Sequence, residues 1–565
     1  MCHSTEPRTA NPEFRFTNKL VASVIGCGLT LLFAGFARAG SATWDLNPSS
    51  GDWNTAINWT PATVPNGSAD TATFDLSNTT DVSISANTEV NGITFTSAAT
   101  NPYTITFSTG LTLTVSGVGI TNNSGKTQNL NFDGTLVFTK SATAGNNVSI
   151  LHDGSTNFFN SSTAGGASIT NVGFGSSSTN FFNSSTAGNA SFSNVGFNST
   201  NFFNNSTAGN ASFFVVGGIV SFHDNSNAGS AFYTGPSESS DLQFRGRSTA
   251  GNATISSDGF ISFGDFSTAG RATISTAGQF SFFGSSIGGT AQISLGSTFP
   301  GSLVNLDIGG HDAPGVTIGS LAGSEGALVV LGANNLTIGS NNLSTTFAGE
   351  ILDSFFGGSF GGSLTKIGTG ALTLSGANFY TGNTNINGGV LKVDGSIISN
   401  TFVNHRGTLT GTGTVNGDVT NTGGTVSPGD PLGTLTVTGN YTQDALGALL
   451  INIAGTNTGQ FSLLNVLGNA DLDGTLNPVL LNGFTPMIGE SFTFLDYADL
   501  TGAFSGIHNA IFNNGTERWL VTYHGTDAVL TATANTPDQA STLLLLSLSL
   551  LGVLTYRCQL LRKSA

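Results

Sequence analysis

Cysteine is almost missing. The 565 residues hold three, Cys2, Cys27 and Cys558, all near the ends. The body between them has none, which excludes a disulfide framework and a thiolate metal site there. Charge is also scarce, at 8% of residues against a usual value of about 25%. Residues 40–541 carry nine Lys or Arg against thirty Asp or Glu, a net charge of −21. Such a body repels nucleic acid and offers it no basic footprint, so no nucleic-acid partner is expected. The same charge keeps a long exposed surface in solution. Helical spacing of apolar residues is lacking too, as are a P-loop, a G-x-S-x-G elbow and a nucleophile–base pair. The sequence therefore predicts no enzyme and no cofactor.

What is present is repetition. From Ser141 to Ser294 one phrase recurs: TAGNNVSI, STAGGASIT, STAGNASFS, STAGNASFF, SNAGSAFY, STAGNATIS, STAGRATIS and SIGGTAQIS. Its Gly falls at 145, 165, 188, 209, 229, 251, 270 and 289, in steps of 19 to 23 residues. Between these marks lie aromatic strands: NFF at Asn157, Asn180 and Asn201, then VSFHD, LQFRG, ISFGD and FSFFG. Alternation of small polar and apolar residues is a strand signature. Gly ends the strands because it takes backbone angles that other residues avoid. One such unit buries too little to fold alone, but stacked units pair their strands and pile like side chains. The predicted fold class is all-β: a right-handed parallel β-helix (β-solenoid), plus an N-terminal signal helix and a C-terminal transmembrane helix. A β-propeller is the alternative, but its blades need about 40–50 residues. At about 20 residues per coil the chain would make about 25 coils.

The ends read differently. Residues 1–39 have the order of a secretory signal: basic Arg15 and Lys19, apolar Leu20–Phe36, then Ala37-Arg38-Ala39 as an A-x-A site before Gly40. Val24–Cys27 offers a lipoprotein-box alternative. Residues 40–110 are a Trp-rich cap with the first coils. Trp44, Trp53 and Trp59 either cover the open end of the stack or contact glycan by stacking. Residues 111–300 form the repeat array, 301–363 irregular coils with a Gly-rich break at Phe355–Gly362, and 396–535 a closing region. Residues 536–565 hold Pro537-Asp538, the apolar run Leu543–Tyr556, and then Arg557, Arg562 and Lys563. This order predicts a membrane-held tail with its basic end inside.

Two resemblances follow from these residues. The segment 364–395, LTKIGTGALTLSGANFYTGNTNINGGVLKVDG, closely resembles the autotransporter-associated β-strand repeat. Leu364, Lys366, Gly368, Gly370, Leu372, Leu374, Gly376, Asn378, Tyr380, Gly382, Thr384, Ile386, Gly389, Leu391 and Val393 fall on that pattern. The spaced Trp, Asp-Trp, Asn-Trp and Val-Pro at residues 44–65 are similar to the start of autotransporter passengers, and 407–505 to their end. The resemblance implies passenger-type β-helix on an exported protein, without catalysis. A self-exporting member would continue with about 250 residues of outer-membrane barrel, and this chain stops about 60 residues after Ile507. The tail instead resembles the PEP-CTERM class of sorting signals, in a Pro-Asp variant. That likeness implies partners: the Sec export machinery, an exosortase-like enzyme that processes the tail, and the inner membrane before processing. A retained anchor is the alternative.

Chemistry has one local candidate: Asp241, Arg245, Arg247, Asp258, Asp265 and Arg271, at spacings that place some on neighbouring coils. The favoured reading of these six is scattered outward charge with weak surface pairing. The His-Asp pairs at His152, His223 and His311 differ in phase within the repeat, so no shared metal site is expected. The functional expectation is an exported cell-surface or extracellular-matrix structural, adhesin-like β-helix with exopolysaccharide as its possible partner. The alternative is a polysaccharide-binding or polysaccharide-degrading β-helix.

Overall fold

A computed structural model describes residues 40–173, 177–296, 304–354, 360–535 and 546–556. The predicted all-β, parallel β-solenoid is what forms, within a unit spanning residues 39–565. Each coil of the repeat array contributes two strands and one corner. In one coil, Ser178–Phe181 lies on the first face. The chain turns at Thr186-Ala187-Gly188 and runs on as Ser191–Val195 on the second face. Like pairs with like: Ser178, Thr179, Asn180 and Phe181 sit beside Ser199, Thr200, Asn201 and Phe202 of the next coil. This register follows from alternation, since a slip of one residue would turn every Phe outward.

The first face holds fifteen parallel strands from Ala42–Trp44 to Glu350–Leu352, with Trp59–Thr60 added antiparallel at its start. The second face runs unbroken from Asp81–Ser83 to Gly506–Ile507, twenty strands in all. The third side is thin in the array. There only the corner residue of each coil bridges its neighbour, from Thr143–Thr163 to Thr268–Ile287. From Gly315–Ile318 onward it widens into a nine-stranded parallel sheet ending at Asp499–Gly502. Twenty strands are fewer than the expected 25 coils because the chain before Asp81 and after Ile507 builds the ends, and because several coils are longer than 20 residues. Ala448 pairs with Thr475, and Thr475 with Gly506.

The corner explains the repeated phrase. The Thr Oγ1 accepts the backbone N–H of the Gly two residues on, at 3.0 Å for Thr163–Gly165, Thr186–Gly188 and Thr249–Gly251. That Gly has a positive φ, 64° at Gly188 and 62° at Gly209. A Cβ on Gly209 would also lie 2.8 Å from the Gly188 carbonyl oxygen of the previous coil. The intervening Ala is buried, and its N–H donates to the next coil's corner, as Ala164 does to the Thr186 oxygen at 2.9 Å. The Ser ahead of each Thr is buried as well. The hydroxyls of Ser185, Ser206, Ser226, Ser248, Ser267 and Ser286 have no hydrogen-bond partner.

One buried apolar cluster extends from Ala42 to Ala532. Its spine is a column of Phe rings, 138, 158, 181, 202, 222, 244, 263 and 282, with centroids 4.5–5.2 Å apart. Each burial contributes roughly 1.5–3 kcal/mol, and stacking adds to it. Asparagine ladders run outside this column. The Asn183 Oδ1 accepts the Asn160 N–H, and the Asn204 Oδ1 the Asn183 N–H, each at 3.0 Å. These Asn hold φ near 60°, which Asn tolerates better than most residues.

Both ends of the solenoid are finished differently from its middle. At the start, Trp44, Trp53 and Trp59 pack edge to face against each other, 5.0 Å apart, and around Phe74. At the finish, Ser491–Asp496 is followed by the antiparallel strands Asp527–Ala534, Glu517–Tyr523 and Ile511–Phe512. The expected signal segment with Ala37 and Ala39 lies outside the described residues. So do Pro537, Asp538, Arg557, Arg562 and Lys563, and residues 355–359 of the Gly-rich break. Residues 546–556 are helical and exposed. Among the described residues no helix is long and apolar enough to cross a membrane, so the expected transmembrane helix is not seen there.

Candidate functional site

The outward positions of the first face form columns that cross the coils. One column starts as Ser155, Ser178 and Ser199, then changes to Ile219, Asp241, Phe260 and Gln279. The next starts as Asn157, Asn180 and Asn201, then reads Ser221, Gln243, Ser262, Ser281 and Asp307. The array thus gives way to a patch of distinct chemistry. The Phe260 ring stands on an outward position and is 46% exposed, so it contributes no core packing.

Around that ring lies a groove with two lobes. One lobe, of about 330 Å³, is bounded by Asp241, Gln243, Ser262, Gln279, Ser281 and Asp307. The other, of about 290 Å³, turns the edge of the face past Glu238 and Asp258. Phe260 and Gln279 line both. The Asp241 carboxylate accepts the Gln243 amide. Burial raises the Asp241 carboxyl above its ordinary range, while the Gln243 hydrogen bond and the Arg245 charge act the other way. Arg245 Nη1 donates to the Ser262 hydroxyl and the Phe244 carbonyl, both at 3.1 Å, and its guanidinium lies 4.8 Å from the Phe283 ring centre.

The six candidate charges do not converge. Asp241 and Arg245 share the first face, and Asp258 lies around its edge. Arg247 stacks on Phe266 at 5.1 Å. The Asp265 carboxylate accepts the Gly246 N–H at 2.8 Å, continuing the corner ladder. Arg271 sits at the far corner, beside Gly270 of the repeated phrase. The sequence reading missed Phe260, Gln243, Gln279 and Asp307. The signal that finds them is departure from the repeat within a register column.

The three His are in three environments. His152 is buried, stacked 5.1 Å under Phe132 and within hydrogen-bond distance of Ser177 and Thr179. Desolvation lowers it to about 4. His223 is at the outer corner, stacked on Phe203 and 3.0 Å from the Ser221 hydroxyl. His311 lies 2.6 Å from the Ser286 carbonyl oxygen. The tryptophans need a correction. Trp44, Trp53 and Trp59 are at most 1% exposed, and their indole N–H groups donate to the Thr79, Pro65 and Trp53 carbonyls. Rings so enclosed have no free face for a sugar.

Within 364–395 the patterned residues are structural. Leu364, Leu372, Leu374, Leu391 and Val393 are buried. Lys366 also points inward, and its ammonium donates to the Ile367 carbonyl at 2.6 Å. Burial lowers it to about 8. The Tyr380 hydroxyl meets that of Thr384 at 2.7 Å inside the core.

Comparison with known proteins agrees with this segment. The Passenger-associated-transport-repeat family model matches residues 364–393. An extracellular serine protease of Serratia marcescens is 34% identical over 150 residues, 25% of this chain and 14% of that protein. A second match of that name is 44% identical over 54 residues, 10% of this chain and 5% of the protease. The adhesin BmaC autotransporter of Brucella suis is 39% identical over 105 residues, 18% of this chain and 3% of the adhesin. The chain therefore spans a small part of each relative it matches. The family assignment rests on the one passenger-associated-transport-repeat that this chain carries at residues 364–393.

Proposed function

We propose that this chain is an exported, adhesin-like surface protein whose solenoid holds polysaccharide on its first face. The observation that carries the reading is the exposed Phe260 ring, set between Asp241 and Gln279 in a groove lined by amides, hydroxyls and carboxylates. An exposed ring offers a face to the C–H side of a sugar, and short polar side chains offer hydrogen bonds at its edge. The passenger-type repeat and the adhesin among the relatives support surface display. Export through the Sec machinery, cleavage after Ala39 and exosortase processing at Pro537-Asp538 complete the proposal, with the solenoid right-handed.

Glycan binding by the full chain tests it. Phe260→Ala is expected to weaken retention on polysaccharide about tenfold while circular dichroism and the melting curve stay as in the parent. Unchanged retention would remove the site. Shortened glycan chains after incubation would show a degrading enzyme and remove the adhesive reading.

A further inference from the structure

Building on the glycan-binding reading, we infer that the two-lobed groove selects a cationic glycan, a polymer of amino sugars with free amines. Carboxylates flank the stacking ring in both lobes: Asp241 and Asp307 in one, Glu238 and Asp258 in the other. Among the described residues none of these four is in an ion pair, and the Arg245 charge reaches Asp241 only from beyond ion-pair distance. The ion pairs among the described residues are those of Lys392 with Asp394 and Asp430, and of His524 with Asp527. Arg245 is the cation nearest in sequence to Glu238 and Asp241, and its guanidinium is engaged with Ser262, the Phe244 carbonyl and the Phe283 ring.

The arrangement suits a sugar rather than a bare ion. Phe260 and Gln279 line both lobes, so a chain crossing the ring passes from one carboxylate pair to the other. The ring takes the C–H face, the Gln243 and Gln279 amides take hydroxyls, and ammonium groups meet the carboxylates. A polyanionic glycan meets like charge there and on the acidic body as a whole. A neutral glycan keeps the stacking and the hydrogen bonds but gains nothing from the acids. Partial burial already disfavours the Asp241 carboxylate, and an ammonium beside it would restore what desolvation removes.

The experiment measures binding of the full chain to four hexasaccharides in mildly acidic, low-salt buffer: fully deacetylated glucosamine, N-acetylglucosamine, glucose and galacturonate. The glucosamine hexamer is expected to bind about tenfold more tightly than its acetylated form, and salt is expected to erase that gap. Glu238→Gln with Asp258→Asn should narrow the gap, since Asp241 and Asp307 remain, and leave the acetylated oligomer unaffected. Phe260→Ala should weaken both. Equal or tighter binding of the acetylated, neutral or acidic oligomer would overturn the selection for amines and leave glycan binding standing. So would a gap that the double carboxylate variant leaves undiminished. No binding of any of the four would overturn both readings.

Discussion

At four corners, Ser185-Thr186, Ser206-Thr207, Ser248-Thr249 and Ser267-Thr268, the Thr hydroxyl is satisfied and the Ser hydroxyl is not. Thr207 Oγ1 accepts the Gly209 N–H at 3.1 Å, while the adjacent Ser206 hydroxyl is buried without a partner. A buried hydroxyl without a hydrogen bond costs about 1–3 kcal/mol. Ser206→Ala is therefore expected to leave stability unchanged or raise it by about 1 kcal/mol, read as the urea midpoint. Thr207→Val should lower it, because the Gly209 N–H loses its acceptor. His152 makes the pH dependence explicit. Desolvation holds it near 4 in the folded chain, against 6.5 ordinarily. Above 6.5 both states are neutral there and the titration of His152 has no effect on stability. As pH falls from 6.5 to about 4, the unfolded chain takes up the proton first and stability declines. Below about 4 the loss is complete, on the order of 3 kcal/mol. His152→Asn should remove this slope, measured as urea midpoints across that window.

At the scale of the element, the Asn corner ladder separates two contributions that usually come together. Asn183 supplies both an acceptor for the Asn160 N–H and tolerance of φ 60°. Asn183→Gly keeps the backbone and loses the hydrogen bond; Asn183→Ala loses both. Alanine should therefore cost more than glycine, by about 1 kcal/mol, in the same denaturation assay. How far such elements were legible depended on what repeats. Strands and corners could be read directly, because the same residues return at nearly the same spacing. Which Phe of each NFF faces inward could not be read as easily, since both are aromatic; the structure buries Phe158, Phe181 and Phe202 and leaves the following rings half-buried. The thin third side was hidden because one bridging Thr per coil leaves no alternation to see. The groove was hidden for the opposite reason. Phe260 looks like one more Phe of the array until register shows it where Ser155, Ser178 and Ser199 stood. Trp44, Trp53 and Trp59 were legible as a cluster, but sequence carries no direct measure of their burial.

At the scale of the solenoid, each end is protected where the middle needs no protection. An open parallel sheet edge invites pairing with another chain. The antiparallel Trp59–Thr60 covers the start of the first face, and the antiparallel strands 511–534 continue the last parallel strand at the other end. The in-register pairing of like residues bears on how this protein changes over generations. Deleting residues 207–226 would join Ser206 to Asn227, the residue that follows a buried Ser in the next phrase. Phe202 would then stack on Phe244 and the core column would keep its kind, while outside it Ser199 and Asn201 would meet Asp241 and Gln243. Such a variant is expected to melt cooperatively and to be shorter by one strand spacing, about 4.8 Å. Deleting one residue fewer should turn faces inside out and leave the protein insoluble. Unequal crossing-over between repeats is thus a change this architecture absorbs, so reach can be lengthened or trimmed in whole coils without turning a core residue outward.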